Sequence, residues 1–323
     1  MARTLSGVPH RPDSLGARIG AALTPGDPPR AVLVGFPCDI GVQRNGGRPG
    51  AASAPDAIRQ ALHSMLPDPA IYDVHAALLE HTLDVGDLPT TGDLAHDQLR
   101  LGRLLQPHID AGAFVVVLGG GHETTYGHFL AYANERRPVS LLNWDAHPDV
   151  RELVDDQGHS GSPFRQALLH PSQVAESYTV AGLQPYVVSR DHLQFIAAHG
   201  GTWIWRQTLT LDRVAALYDA LQPASAALVS FDLDAVDQSS APGVSAPTVD
   251  GLTTEVWLRA AFLAGRTPAV TSIDVVEVNP RFDVGGQTAR LAALTVWSAL
   301  RGRALADART RNYRSPTTNG WNP

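Results

Sequence analysis

The 323-residue sequence has no lysine, and its 25 basic residues are all arginine. That absence excludes a lysine Schiff base, a pyridoxal-phosphate attachment and a phosphate-loop lysine. It is most simply a coding bias. Cysteine is nearly absent too: Cys38 stands alone against 13 histidines. A single thiol excludes a disulfide framework, a CxxC redox pair and cysteine-rich zinc sites. No apolar run reaches the roughly 18 residues of a membrane span. The N-terminal stretch lacks an apolar h-region, so no secretory signal is expected and a cytoplasmic location is. A net charge of −7 with scattered arginines argues against nucleic-acid binding through bulk charge. Chemistry in this chain has to come mostly from carboxylates, imidazoles and arginines.

The chain is 44% hydrophobic and 18% charged, and is long enough to bury a large core. Near-continuous apolar runs at 31–36, 113–119, 138–145, 177–183, 226–234 and 269–278 suit strands covered on both faces. Helical patterns lie between them at 54–66, 96–109, 124–135, 211–221 and 253–265. This alternation predicts an α/β fold, a sandwich with a mainly parallel central sheet. No repeat or linker divides the chain, so one domain spanning 1–323 is expected. Its ends, about 1–30 and 311–323, are rich in Pro, Gly, Ser, Thr and Asn and read as loose.

The polar residues fall where such a sheet binds ligands, beyond the carboxyl ends of its strands. The run at 113–119 leads into His122, the next into Asp145, His147 and Asp149, the fifth into Asp232 and Asp234, and the last into Glu277. Extended residues at i, i+2 and i+4 share a side, so Asp145, His147 and Asp149 can converge, as can Asp232 and Asp234. Four carboxylates brought together without cations would cost several kcal/mol in repulsion and desolvation. Two divalent cations would remove that cost. Oxygen-rich, sulfur-free ligation with some imidazole favours Mn²⁺. Any one of these elements alone has an ordinary structural explanation; three in order in one chain read as a binuclear metal site.

The segments GGGHE (119–123), DAHPD (145–149), SFDLDAVD (230–237) and VEVNPRFD (276–283) resemble the ureohydrolases, the family of arginase, agmatinase and formimidoylglutamase. The resemblance covers roughly residues 31–300. Three further stretches, 35–51, 159–166 and 241–247, lean toward formimidoylglutamase, with APGVSAP where arginases and agmatinases typically have PGTGTP. The resemblance implies an arginase-like three-layer α/β/α sandwich and two Mn²⁺ per subunit. It implies that Asp145 and Asp232 bridge the ions, with His122 and Asp149 completing one and His147 and Asp234 the other. It also implies a homo-oligomer and a small-molecule substrate, N-formimidoyl-L-glutamate, hydrolysed to L-glutamate and formamide.

Two cations a few Å apart can lower the pKa of a shared water from about 15.7 toward neutrality, for attack on an sp² carbon bonded to nitrogen. Asp149 is the natural proton carrier between that water and the leaving nitrogen. Glu277 can pair with the N–H groups of a cationic amidine. Asp274, an odd number of residues away, faces the other side of an ideal strand and reads as support either for the residues of the site or for the core. The substrate's own carboxylates call for arginine. Arg48 is favoured over Arg44, Arg165 and Arg281, and His159 is a further substrate-binding candidate. Cys38 reads as a packed residue. The alternatives are a ureohydrolase acting on a guanidino compound, a deacetylase with one zinc on a related fold, and a non-catalytic metal-binding protein.

Overall fold

A computed structural model describes residues 11–221 and 225–310. Eight parallel strands form one sheet: β1 (Ala31–Phe36), β2 (Thr82–Asp87), β3 (Phe114–Gly119), β4 (Val139–Trp144), β5 (Ala175–Leu183), β6 (Thr202–Trp205), β7 (Ala226–Asp232) and β8 (Val270–Val276). Their order is β2-β1-β3-β8-β7-β4-β5-β6. The six apolar runs correspond to β1, β3, β4, β5, β7 and β8. The two strands absent from that reading, β2 and β6, are the edges of the sheet. Each is half-exposed, and β6 is also only four residues long, so neither carries a continuous apolar run.

Side chains alternate across a strand, so this buried sheet has two apolar faces. One face takes Leu33, Phe114, Val116 and Val229 into a core with helices α1 (Leu15–Arg18), α3 (Ala54–His63), α4 (Tyr72–Glu80), α9 (Leu211–Asp219), α10 (Thr254–Arg266) and α11 (Gln287–Thr310). The other takes Val32, Val34, Val115 and Val117 into a core with α5 (Leu94–Asp110), α6 (Thr124–Ala133), α7 (Pro163–Leu168) and α8 (Arg190–Ala198). The short α2 (Ile40–Arg44) follows β1 on the way to the site. The result is the expected three-layer sandwich. Helix α11 packs on α3, α4 and α10 together. A helix covered from several sides has no single apolar stripe, which is why periodicity left it unmarked.

Of the N-terminal stretch expected to be loose, the residues from 15 onward are docked on the fold, and residues 1–10 lie outside the described residues. Leu15 is fully buried, its N–H donates to the Met65 carbonyl at 2.8 Å, and Arg18 pairs with Glu80. A buried leucine, two ion pairs (Arg18 with Glu80, Arg30 with Asp307) and backbone hydrogen bonds dock this segment despite its polar composition. The expected loose stretch at 311–323 lies outside the described residues. No helix among the described residues is long and apolar enough to cross a membrane.

Candidate metal centre

Strands β3, β4, β7 and β8 are contiguous in the sheet, so their carboxyl ends deliver neighbouring loops. The approach is close. A Cβ on Gly120 would lie 1.9 Å from the Cys38 carbonyl oxygen, so only glycine lets the β3 end pass the loop after β1. All six metal-ligating residues expected from the sequence converge there. His122, Asp145, Asp149 and Asp232 form one group with ligand atoms within 4.8 Å of one another, and Asp145, His147 and Asp234 form a second. Asp145 belongs to both. His122 Nδ1 lies 2.8 Å from Asp149 Oδ2, 2.9 Å from Asp232 Oδ2 and 3.4 Å from Asp145 Oδ2. His147 Nδ1 lies 3.4 Å from Asp145 Oδ1 and 3.3 Å from Asp234 Oδ2.

Backbone and side-chain donors hold the carboxylates in place. Asp145 accepts from the His147 N–H at 2.7 Å and from Asn143 Nδ2 at 2.9 Å. Asp232 accepts from the Asp234 N–H at 2.8 Å. His122 Nδ1 and Asp234 Oδ1 are buried without a hydrogen-bond partner. Leaving such atoms unpaired is costly, and their lone pairs fit a cation. The electrostatics agree. Burial opposes charging His122 and His147, yet Asp149 and Asp232 beside the first and Asp234 and Asp145 beside the second push both imidazoles well above their usual pKa. Burial raises Asp232 well above the carboxylate range, reinforced by Asp234 and Asp145, and raises Asp234 to about 6 against the pull of His147. A cluster that draws protons onto both acids and bases is short of positive charge, which two divalent cations would supply.

Glu277 sits beside the first group. Its Oε1 accepts the His122 backbone N–H at 2.8 Å, and its own N–H donates to the Gly120 carbonyl at 2.8 Å. It makes no ion pair among the described residues, so the strand-end salt bridge that would explain it structurally is not there. Burial, then Glu123 and Asp234, push its pKa well up. Glu277 and Asp149 both have left-handed backbone, with φ of 65° and 46°. A non-glycine residue held there costs on the order of 1–3 kcal/mol, and such strain gathers at functional sites. Sequence reading carried no sign of it.

His159, expected as a substrate-binding candidate, is held by its own loop. Its Nε2 donates to the Glu152 carbonyl at 2.8 Å and its Nδ1 accepts from the Gly161 N–H at 3.1 Å. Both nitrogens are engaged with backbone groups here. Arg48 lies where the loop after β1 meets residues 243–245 and 279. Its Nε donates to the Ser245 carbonyl at 3.1 Å, its Nη2 to the Val244 carbonyl, and its guanidinium stacks 4.3 Å from the Phe282 ring. Nη1 alone is not committed to these contacts. Arg44 bonds the Gly158 carbonyl and Arg165 the Val150 carbonyl, whereas Arg281 is exposed. Cys38 is packed as expected, and burial pushes its thiol up to about 12. Sequence reading assigned no role to Glu123. Its Oε1 accepts the Gly41 N–H at 2.7 Å, while Oε2 is buried and unpartnered, and burial raises its pKa to about 7.

Residues 29–302 match the arginase family model. The chain belongs to the arginase family. It is 38% identical over 286 residues to a formimidoylglutamase of Rhodococcus jostii, covering 83% of this chain and 84% of that one. Among solved structures, a Trypanosoma cruzi formiminoglutamase with Mn²⁺₂ superposes with a TM-score of 0.80 at 29% identity, covering 90% and 98% of the two chains. The formimidoylglutamase of Bacillus subtilis gives 0.79 at 26% identity, covering 94% and 97%. This arginase-family protein is a formimidoylglutamase-like hydrolase, and its buried His/Asp cluster has the composition of a binuclear metal site.

Proposed function

We propose that the protein binds two Mn²⁺ per chain and hydrolyses N-formimidoyl-L-glutamate to L-glutamate and formamide. The observation that carries the reading is the pair of ligand groups joined through Asp145, with an unpaired Glu277 beside them. When bound, the two cations supply Lewis acidity and an acidified water. His122, Asp145, Asp149 and Asp232 would hold one and Asp145, His147 and Asp234 the other. The R. jostii and B. subtilis relatives support this substrate over a guanidino compound.

The chain's own groups divide the remaining work. Glu277 presents a carboxylate to the amidinium N–H groups, a charge-assisted contact that orients the carbon toward the ligand groups. Asp149 accepts the proton of the attacking water on its carboxylate and returns it to the glutamate nitrogen as the C–N bond breaks. The attack adds oxygen to the amidine carbon, and the products are formamide and the free amine of glutamate. Arg48 reads a substrate carboxylate through its remaining Nη1. The substitution Arg48→Gln is expected to raise KM about tenfold with a smaller change in kcat, and an unchanged KM removes that contact.

The deciding assay is product identity. Manganese-loaded protein is offered formimidoylglutamate and a guanidino panel of agmatine, arginine and guanidino acids. Formamide release supports the proposal. Urea release without formamide would replace the substrate while leaving the hydrolase family intact.

A further inference from the structure

A polar seam runs through the core between α6 and the sheet, where apolar packing would be the default. Thr125, His128 and Tyr132 recur at i, i+3 and i+7 along one face of α6. They meet Ser230 of β7 and Thr271, Ser272 and Asp274 of β8. His122, Ser230, Asp274, His128 and Ser272 are all buried at 0–1% exposure. Polar groups so deep are expensive unless their donors and acceptors are matched, and here all but His122 Nδ1 are matched in one connected chain.

The direction of that chain is determined by its carboxylate. Asp274 can only accept when ionised. Ser230 Oγ gives its single proton to Asp274 Oδ1 at 2.5 Å, and His128 Nδ1 lies 2.8 Å from Asp274 Oδ2. With its proton spent, Ser230 Oγ has only lone pairs for its other neighbours, His122 Nε2 at 2.9 Å and Thr125 Oγ1 at 3.2 Å. His122 must therefore carry its N–H on Nε2, which leaves the Nδ1 lone pair aimed at Asp145, Asp149 and Asp232. His128 Nε2 is held in turn by Ser272 Oγ at 2.6 Å, and Ser272 by the Tyr132 hydroxyl at 2.6 Å. The other half of the cluster has no counterpart. Among the described residues the His147 ring has only Asp145 and Asp234 as side-chain partners.

We infer that the Ser230–Asp274–His128 chain is a positioning device for one half of the metal centre, holding His122 ready to ligate through Nδ1. The inference rests on the two-ion reading of the cluster. Outer partners of this kind change metal affinity by about 10- to 100-fold when removed. The effect should fall on the ion held by His122, Asp149 and Asp232 and spare the ion held by His147 and Asp234.

The test is a titration of metal-free, full-length protein with Mn²⁺, reading free Mn²⁺ by electron paramagnetic resonance. His122→Asn and His147→Asn serve as references for losing each half. Ser230→Ala cuts the link beside His122, and His128→Gln loosens Asp274 from its far end. Ser230→Ala is expected to behave as a milder His122→Asn, with one site weakened about 10- to 100-fold, the other unchanged, and an unchanged Tm without metal. His128→Gln should shift the same site by less, and it carries the test alone if Ser230→Ala does not fold. Two ions bound with wild-type affinity in both variants would overturn the inference while leaving the two-ion reading standing. Equal weakening of both sites with a lowered metal-free Tm would reduce the seam to packing. A wild-type chain that takes up no pair of ions would overturn the reading and the inference together.

Discussion

The two helical layers solve the same packing problem with different materials. On one face, α10 and α11 meet mostly through small apolar residues, with a single buried hydrogen bond from Trp257 Nε1 to Thr295 Oγ1 at 2.7 Å between them. Ala260, Ala261, Ala264, Ala292, Ala293 and Ala299 are buried, and a Cβ on Gly265 would lie 1.8 Å from the Ala299 carbonyl oxygen. On the other face, α6 turns Thr125, His128 and Tyr132 toward the sheet. Backbones in near contact gain dispersion and exclude water, and any small side chain serves. A hydrogen-bonded seam gains little net stability, but it fixes the orientation of each group it touches. The layer that carries this seam is the one whose α6 begins beside His122. Orientation is specified where a ligand must be aimed, and packing suffices elsewhere.

If that division is real, damage to the two regions should separate activity from stability. The largest effect is expected from Asp149→Asn, since asparagine tolerates the φ of 46° and changes only the carboxylate. On the proposed reading, in which Asp149 carries the proton and helps to hold one ion, kcat at saturating Mn²⁺ should fall about 10³-fold while the metal-free Tm is unchanged. A variant with near-normal kcat would remove Asp149 from that role. Chelation of the metals should abolish turnover in the same way, and Mn²⁺ should restore it.

The opposite signature is expected from Gly265→Ala. The added methyl overlaps the Ala299 carbonyl, and neither backbone can yield without parting α10 from α11. A loss of about 3 kcal/mol follows, seen as a Tm lower by on the order of 5–10 °C. The folded fraction should keep kcat within about twofold. A fall in kcat at full occupancy of the fold would show that the apolar layer also shapes the site.

The same contrast explains what could be read from the sequence. Strands buried on both faces announce themselves as apolar runs, and the residues at their carboxyl ends inherit the position of the site. Edge strands β2 and β6 are covered on one side only and blend into loops. The residues of the His/Asp cluster were legible because DAHPD and DLD chemistry is local. Arg48 and His159 were not, since their roles depend on partners set by tertiary folding. Ser245 lies 197 positions from Arg48, and the Asn279 amide that donates to the Arg48 carbonyl lies 231 away. Ser230 and His128 could have been noticed as a strand residue two before Asp232 and a helix residue six after His122, but nothing local says that Asp274 joins them.

The apolar layer has one buried histidine of its own, and it sharpens the comparison at the smallest scale. His75 of α4 is fully buried, packs edge-on to Trp297 with ring centroids 5.4 Å apart, and accepts the Asp68 N–H on Nδ1 at 3.1 Å. Its Nε2 has no hydrogen-bond partner, whereas both nitrogens of His128 are held. Burial lowers the His75 pKa from 6.5 to about 4, against a weaker opposing pull from Asp68. Between those values the unfolded chain binds a proton that the folded chain refuses. Stability from this residue is therefore complete above pH 6.5 and is lost as pH falls toward 4, by at most about 3 kcal/mol. The variant His75→Gln keeps an acceptor for the Asp68 N–H but cannot titrate. Denaturant midpoints of the two proteins, compared from pH 7 to pH 4, should show the difference between them moving against wild type as pH falls and wild type loses this increment. Parallel curves would mean that His75 charges within the fold as readily as in the unfolded chain, and that burial in the apolar layer does not exclude its proton.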